Sequence, residues 1–274
     1  MKTLYISDLD GTLLNTKSVL SDFTKETLNS LTQQGMMFSV ATARTTATVM
    51  KIFSNVSLPL PVILMSGAVT YDTVNKKSIN VKYLNEVLIS KALEILEQNQ
   101  ISAFVYSLED NYLHAFHKQL KSPFTKKFRD DRLNSGYKSF HEIDNYNKLS
   151  DRITPVLIMV MDDFEKIAKT HGLIEELKGI TTYCYRDIFD KSLGYLEIYA
   201  ENTSKAQAIR ELSSSLAVDK LVVFGDNLND LPMFEIADEA YAVKNAFPEV
   251  KAAATATIGA NYEDGVAKFL LQDK

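Results

Sequence analysis

Residues 6–13 read Ile-Ser-Asp-Leu-Asp-Gly-Thr-Leu and place two carboxylates directly behind a short apolar run. Residues 4–6 predict a buried strand, so Asp8 stands where this strand ends, just before the chain turns at Gly11. A carboxylate at a strand end, beside a flexible Gly-Thr turn, is suited to holding a cation and a phosphate group. We therefore take Asp8 and Asp10 as the candidate centre of the protein.

The composition is that of a globular protein of 274 residues, long enough for a full core and for two domains. It is 46% hydrophobic and 24% charged, and its net charge of −5 disfavours general nucleic-acid binding. The single cysteine, Cys184, excludes an internal disulfide and a cysteine-rich zinc site, and we expect it to be a packing residue. The sequence has no apolar run of membrane-spanning length, and its N-terminus becomes acidic too early for a signal peptide. We therefore expect a soluble, cytoplasmic protein without membrane or nucleic-acid partners.

Strand and helix signals alternate after the opening stretch. A helix capped by Ser21 and ended by Gly35 leads to a buried strand over residues 36–41. A second helix follows Thr42 and leads to a third buried strand over residues 61–65. Short links between such elements predict an α/β fold in which helices wrap a parallel sheet, with the ligand crevice at the carboxyl ends of its strands.

The pattern changes after the third strand, where a hairpin and then a mixture of helices and strands predict a second, α+β unit. The core pattern returns with a strand over residues 196–199. We therefore predict a catalytic core formed by residues 1–82 and 190–274, with residues 83–189 inserted into it as an α+β domain.

Two features of the inserted domain have competing interpretations. Residues 118–132 carry six lysines and arginines against two aspartates. We favour a solvated helix face, and the alternative is a basic lining that attracts an anionic substrate. Residues 133–151 are polar and predict a loop or a weak helix. The histidines are scattered, and we expect surface or packing roles for each of them: His114, His117, His141 and His171.

The remaining candidate residues lie in loops at the ends of predicted core strands, or just beyond one at a helix start. They are Thr42, Lys205, Asp226, Asn229 and Asp230. Oxygen ligands without histidine or thiolate suit Mg²⁺, which keeps several waters and takes a phosphate oxygen. Lys205 can neutralise phosphate charge. The other donors to phosphate oxygens are the Thr42 hydroxyl and the amides of Ala43, Leu9 and Asp10.

Each of these loops, taken alone, is also explained by ordinary turn or capping chemistry. The combination Asp-x-Asp-Gly-Thr, however, is expected by chance at roughly one position in 10⁵. Compatible loops at the other strand ends make coincidence a poor explanation.

With these motifs the chain resembles the haloacid dehalogenase superfamily, and within it the Cof-like phosphatases that carry a large inserted cap. The four family motifs match residues 8–12, Thr42, Lys205 and residues 225–230, and the closing segments match residues 245–246 and 263–267. Three positions depart from the family pattern: Ala43, Ser66 and Ala206 stand where glycine, asparagine and glycine are usual. The first two departures can alter the hydrogen bonds on the phosphate side or the substrate pocket.

The resemblance implies a Rossmann-like core, a cap that selects the substrate, and a Mg²⁺-dependent phosphatase of small phosphorylated metabolites, sugar phosphates foremost. It makes Asp8 the nucleophile that forms an aspartyl-phosphate and Asp10 the acid/base. It assigns the metal to Asp8, the Asp10 carbonyl and Asp226. It assigns the phosphate to Leu9, Thr42, Ala43, Lys205 and Asn229, and supporting roles to Asp230 and Arg44.

Two alternatives stay open at this point. One is a phosphomutase, which would keep the phosphate on Asp8 until it is returned to a substrate. The other is a phosphosugar-binding regulatory protein without significant turnover. Both Asp8 and Asp10 are present, which argues against loss of turnover, because binding alone needs no acid/base.

Overall fold

The structure, a computed structural model, describes residues 1–109, 111–133, 138–146, 153–187 and 190–273. It forms two compact units, one of Met1–Asn80 with Ser204–Lys274 and one of Val81–Thr203. We call them the core unit and the inserted unit.

The secondary structure of the described residues is as follows. The strands are β1 (Thr3–Ser7), β2 (Met37–Val40), β3 (Val62–Leu64), β4 (Val69–Asp72), β5 (Lys77–Val81), β6 (Ala103–Glu109), β7 (Tyr112–His117), β8 (Lys138–Glu142), β9 (Pro155–Asp163), β10 (Ile180–Arg186), β11 (Leu193–Ala200), β12 (Lys220–Gly225), β13 (Glu239–Val243) and β14 (Ala256–Ile258). The helices are α1 (Asp22–Gln33), α2 (Thr46–Ile52), α3 (Glu86–Gln98), α4 (Pro123–Asp130), α5 (Phe164–Glu175), α6 (Lys205–Leu216), α7 (Leu231–Phe234), α8 (Pro248–Ala253) and α9 (Gly265–Gln272).

The core unit is built on a five-stranded parallel sheet in the order β14-β13-β12-β1-β2. β1 lies inside this sheet between β12 and β2, and Leu4 and Ile6 are fully buried there. Ser21 caps α1 by accepting a hydrogen bond from the Thr24 amide at 3.0 Å, as the sequence predicts. The predicted α/β fold with a parallel sheet and helices is confirmed.

The third predicted strand does not extend the parallel sheet. β3 pairs antiparallel with β4 in a separate sheet of order β3-β4-β5, and it meets the parallel sheet through one bridge between Ala41 and Ile63. The reason is local, because Met65, Ser66 and Gly67 all have positive φ angles, of 49°, 56° and 97°. The chain turns back there after a strand of three residues.

The inserted unit contains a six-stranded sheet in the order β10-β11-β9-β6-β7-β8. α3 and α5 contribute to an apolar cluster with its strands, and Cys184 packs partly buried against this cluster, as expected. β11 pairs along its length with β9 and β10, so residues 190–203 belong to this unit and not to the core unit as predicted. An apolar strand fits a buried place in either sheet, and only the pairing decides between them.

Two further predictions on the inserted unit, for residues 133–151 and 118–132, can be compared with the structure. The polar stretch 133–151 lies partly outside the described residues, and the described part contains β8 where we expected a loop or a weak helix. Along residues 118–132, four of the six basic side chains are exposed, which fits both interpretations of this segment: Lys121, Lys126, Lys127 and Arg132. Among the helices of the described residues, none has both the length and the apolar character needed to cross a bilayer.

Candidate active site

Asp8 and Asp226 are brought together by the neighbouring strands β1 and β12. Asp8 directly follows β1, and its amide donates to the carbonyl of Phe224 in β12 at 3.0 Å. Asp226 directly follows β12. Since the two strands are parallel and adjacent, their carboxyl ends meet at one edge of the sheet, as the sequence predicts.

Lys205 reaches this edge from the first position of α6. Its Nζ lies 2.5 Å from Asp8 Oδ1 and 2.8 Å from Asp230 Oδ1. The three side chains are almost completely buried, with exposed fractions of 6%, 9% and 0% in the order Lys205, Asp8, Asp230. Burial by itself lowers the pKa of the Lys205 ammonium, but the charges of Asp230 and Asp8 outweigh it and raise the pKa, so the lysine is a fixed cation.

Asp230 has a second task in the turn that follows β12. Its Oδ2 accepts hydrogen bonds from the amides of Asp226 at 3.1 Å and Asn227 at 3.2 Å. The same side chain therefore shapes the turn that carries Asp226 and anchors Lys205. Asn229, expected to bind phosphate, is exposed in this turn.

Asp8, Asp226 and Asp230 form a carboxylate cluster, with one oxygen of each within 4.8 Å of the others. Burial, together with the neighbouring carboxylates, raises the pKa of Asp8 against the opposing effect of Lys205. Burial also raises the pKa of Asp226, to about 6. The negative charge of these three poorly hydrated carboxylates exceeds the positive charge of the Lys205 ammonium. A cluster of oxygen ligands of this kind fits a hard divalent cation such as Mg²⁺.

The opening turn carries two residues that lie against Asp226 and that the sequence did not single out for this role. Thr12 Oγ1 donates to Asp226 Oδ1 at 2.8 Å. Gly11, with φ of 81°, lies so close that a Cβ there would be 2.3 Å from Asp226 Oδ2. Asn245 Nδ2 in turn donates to the Gly11 carbonyl at 2.7 Å. The position of Thr12, directly after the Asp-Gly turn, was the available signal in the sequence.

Thr42 lies buried at the end of β2. Its Oγ1 accepts the Arg44 amide at 3.1 Å, which leaves the hydroxyl proton for another acceptor. The Ser66 amide donates to the Thr42 carbonyl at 3.0 Å, so two of the positions that depart from the family pattern, Ala43 and Ser66, lie on connected loops. The third, Ala206, is buried in the first turn of α6.

Asp10 differs from the other aspartates because its side chain is 52% exposed and points to Arg44. Arg44 Nε donates to one carboxylate oxygen at 2.6 Å, and Nη2 donates to the other at 2.5 Å. These hydrogen bonds raise the pKa of Arg44 despite its partial burial. The resemblance implies a supporting role for Arg44, and the structure pairs it with the candidate acid/base.

The fold and the carboxylate cluster both agree with the family to which the sequence is matched. Residues 5–270 match the family of haloacid dehalogenase-like hydrolases, and the chain belongs to this family.

Relatives and solved structures agree with this assignment. The 5-amino-6-(5-phospho-D-ribitylamino)uracil phosphatase YwtE of Bacillus subtilis (strain 168) is 28% identical, over 99% of this chain and 98% of the relative. A putative phosphatase of Haemophilus influenzae is 25% identical, over 97% of this chain and 94% of the relative. The crystal structure of a haloacid dehalogenase-like hydrolase from Bacteroides thetaiotaomicron has the same fold, with a TM-score of 0.81 at 22% identity over 100% of both chains. The expected enzyme class, a phosphatase of the haloacid dehalogenase type, is thereby confirmed.

Proposed function

We propose that this phosphatase is Mg²⁺-dependent, acts on small phosphorylated metabolites, sugar phosphates foremost, and works through an aspartyl-phosphate on Asp8. The observation that carries the proposal is the buried Asp8 carboxylate, held 2.5 Å from the Lys205 ammonium and beside the carboxylates of Asp226 and Asp230. A nucleophile and a fixed positive charge at one point are what transfer of a phosphoryl group requires.

In the proposed reaction, an Asp8 oxygen forms a bond to phosphorus while the bond from phosphorus to the leaving oxygen breaks. Asp10 gives its proton to that oxygen, and later takes a proton from the water that hydrolyses the aspartyl-phosphate. Lys205 neutralises charge on the phosphate oxygens, and the Thr42 hydroxyl donates to one of them. These assignments use groups that lie at one edge of the core sheet.

The residues that would hold Mg²⁺ are Asp8, Asp226 and the carbonyl of Asp10, with Asp230 close enough to orient the carboxylates or a bound water. When bound, the ion would offset the negative charge of the carboxylates and of the phosphate. The pairing of Thr12 with Asp226 favours this arrangement because it fixes one of the oxygens of the donor set.

The choice of substrate rests on the relatives and on the proposed role of the inserted unit as the cap that selects the leaving group. The Bacillus subtilis relative is named for a phosphate ester of a ribityl group, which is a phosphorylated sugar alcohol. A primary phosphate on a polyhydroxylated chain is therefore the first substrate class to test.

The test is release of inorganic phosphate from p-nitrophenyl phosphate and from a panel of sugar phosphates that includes 5-amino-6-(5-phospho-D-ribitylamino)uracil. Release should require Mg²⁺ and should fall on the order of 10³-fold or more in Asp8→Asn. Asp22→Asn is the control, since Asp22 is exposed and pairs with Lys25 at 2.8 Å on α1. Equal release by wild type and Asp8→Asn would contradict the nucleophile. An isomerised sugar phosphate without free phosphate would indicate a mutase.

A further inference from the structure

The edge of the inserted sheet brings together two histidines that the sequence separates. β7 and β8 pair in parallel with His114 opposite Ser139 and Phe116 opposite His141. Side chains alternate between the faces of a sheet, so His114, Ser139 and His141 lie on the same face. The chain between the two histidines returns to this edge through α4.

On this face, three atoms with lone pairs form a small triangle. Nδ1 of His114 lies 3.2 Å from Nε2 of His141. Oγ of Ser139 lies 2.9 Å from the first nitrogen and 2.7 Å from the second. Two ligands that bind one Zn²⁺ ion at about 2.0–2.1 Å are separated by roughly 2.8–3.4 Å, from octahedral to tetrahedral geometry. The two distances from His114 Nδ1 fall in this range, and the 2.7 Å between Ser139 Oγ and His141 Nε2 is slightly shorter.

We propose that His114, His141 and Ser139 form a second metal site, which binds Zn²⁺ through the two imidazole nitrogens and the serine oxygen. Water would fill the remaining coordination positions. Imidazole nitrogen selects zinc-like transition metals over Mg²⁺, so the site is chemically separate from the all-carboxylate cluster of the core unit. It also does not depend on the proposed phosphatase mechanism.

The contacts around the triangle suit a bound metal. The Phe116 ring stacks on the His141 ring with centroids 4.9 Å apart, which holds its orientation. Oε2 of Glu109 lies 3.8 Å from Nε2 of His114, on the side of the ring away from the triangle, where metal-binding histidines commonly face a carboxylate. The His114 side chain is 24% exposed, so an ion can enter.

A bound ion would link β8, the edge strand of the inserted sheet, to its neighbour β7. We expected surface or packing roles for both histidines, because their separation along the chain gives no metal-ligand spacing. The parallel register of the two strands is what places them together.

The experiment is a calorimetric titration of the tag-free, chelator-treated protein with Zn²⁺ in saturating Mg²⁺, which competes with Zn²⁺ for the carboxylate cluster. Wild type should bind one equivalent, and His114→Ala and His141→Ala should bind at least about tenfold more weakly. His171→Ala is the matched control. His171 belongs to the same unit, but it lies on α5 and its Nε2 is 2.9 Å from Thr182 Oγ1, so its removal should leave the binding unchanged.

Two further measurements keep the proposal falsifiable if a histidine variant folds poorly. The melting temperature of the wild-type protein should rise with Zn²⁺ in saturating Mg²⁺. With Cu²⁺ as a probe, electron paramagnetic resonance of the wild type should show two nitrogen ligands. Failure of the wild type to bind Zn²⁺ under these conditions overturns the proposal, as does equal binding by the folded double variant His114→Ala/His141→Ala.

Discussion

Arg44 holds both carboxylate oxygens of Asp10, with hydrogen bonds of 2.6 and 2.5 Å. The pair is partly exposed, so its contribution to stability is small, at most about 1 kcal/mol. Its importance is for the proposed reaction, because the two hydrogen bonds orient the carboxylate of the proposed acid/base. The pair therefore fixes the position of the Asp10 carboxylate.

The first prediction concerns the leaving group. An alkyl alkoxide needs a proton, whereas p-nitrophenolate leaves readily without one, so Asp10→Asn should affect the two substrates differently. We expect kcat/KM to fall by about 10²–10⁴-fold for a sugar phosphate and clearly less for p-nitrophenyl phosphate. Steady-state rates on both substrates check this. Equal losses on both would contradict an acid role for Asp10.

The second prediction concerns Arg44. Arg44→Gln removes the two guanidinium hydrogen bonds that orient Asp10. We therefore expect kcat/KM for a sugar phosphate to fall by about tenfold, which is less than the loss expected for Asp10→Asn. The free energy of unfolding should change by less than about 1 kcal/mol. Arg210→Gln is the control, because Arg210 is exposed on α6. A fall in stability as large as the fall in activity would assign Arg44 a structural role instead.

The third prediction tests the hold of Thr12 on Asp226. Thr12→Val keeps the shape of the side chain but removes the 2.8 Å hydrogen bond, so the Mg²⁺ concentration for half-maximal activity should rise roughly tenfold. Thr32→Val is matched to it, since Thr32 Oγ1 donates within α1, to the Leu28 carbonyl and to the Asn29 carbonyl. An unchanged Mg²⁺ requirement in Thr12→Val would contradict a role of Thr12 in positioning Asp226 for the metal.

The fourth prediction compares two glycines. In Gly67→Ala, the new Cβ would lie 2.2 Å from the Ser204 carbonyl at the start of α6, and φ is 97°. The variant should lose roughly 2 kcal/mol or more of stability and should also lose activity, because Lys205 follows Ser204. Gly172→Ala, with open space around it on α5, should gain about 0.5–1 kcal/mol. Chemical unfolding monitored by circular dichroism measures both.

The fifth prediction is a pH dependence of stability. Lys138 Nζ lies 4.7 Å from the centre of the Tyr106 ring, and burial lowers its pKa from 10.5 to about 8. Between these two values the unfolded chain binds more protons than the folded protein, so Lys138 makes stability rise with pH through this window. The gain approaches roughly 3 kcal/mol.

Lys138→Met should abolish this rise and should be more stable than wild type near neutral pH, since no charge is then buried. Urea unfolding of both proteins across the window measures the difference, in which the titration of other groups cancels. A difference that stays constant with pH would mean that the Lys138 ammonium is fully hydrated in the folded protein.

The sequence by itself predicted most of the core elements and the candidate site residues. Apolar runs, the Ser21 cap and the turn at Gly11 are local signals, since they depend on neighbours within a few residues. The Asp-x-Asp-Gly-Thr motif likewise carries its chemistry within residues 8–12. The local signals did not predict β14 and α9, because these two segments near the C-terminus are short.

Only the tertiary structure decided which partners meet. The membership of β11 in the inserted sheet and the pairing of Asp10 with Arg44 depend on contacts between distant segments. The approach of His114 to His141 follows from the register of β7 and β8. Side-chain periodicity gives the face on which a residue lies, but the neighbouring strand and its register are set by the packing of the whole unit.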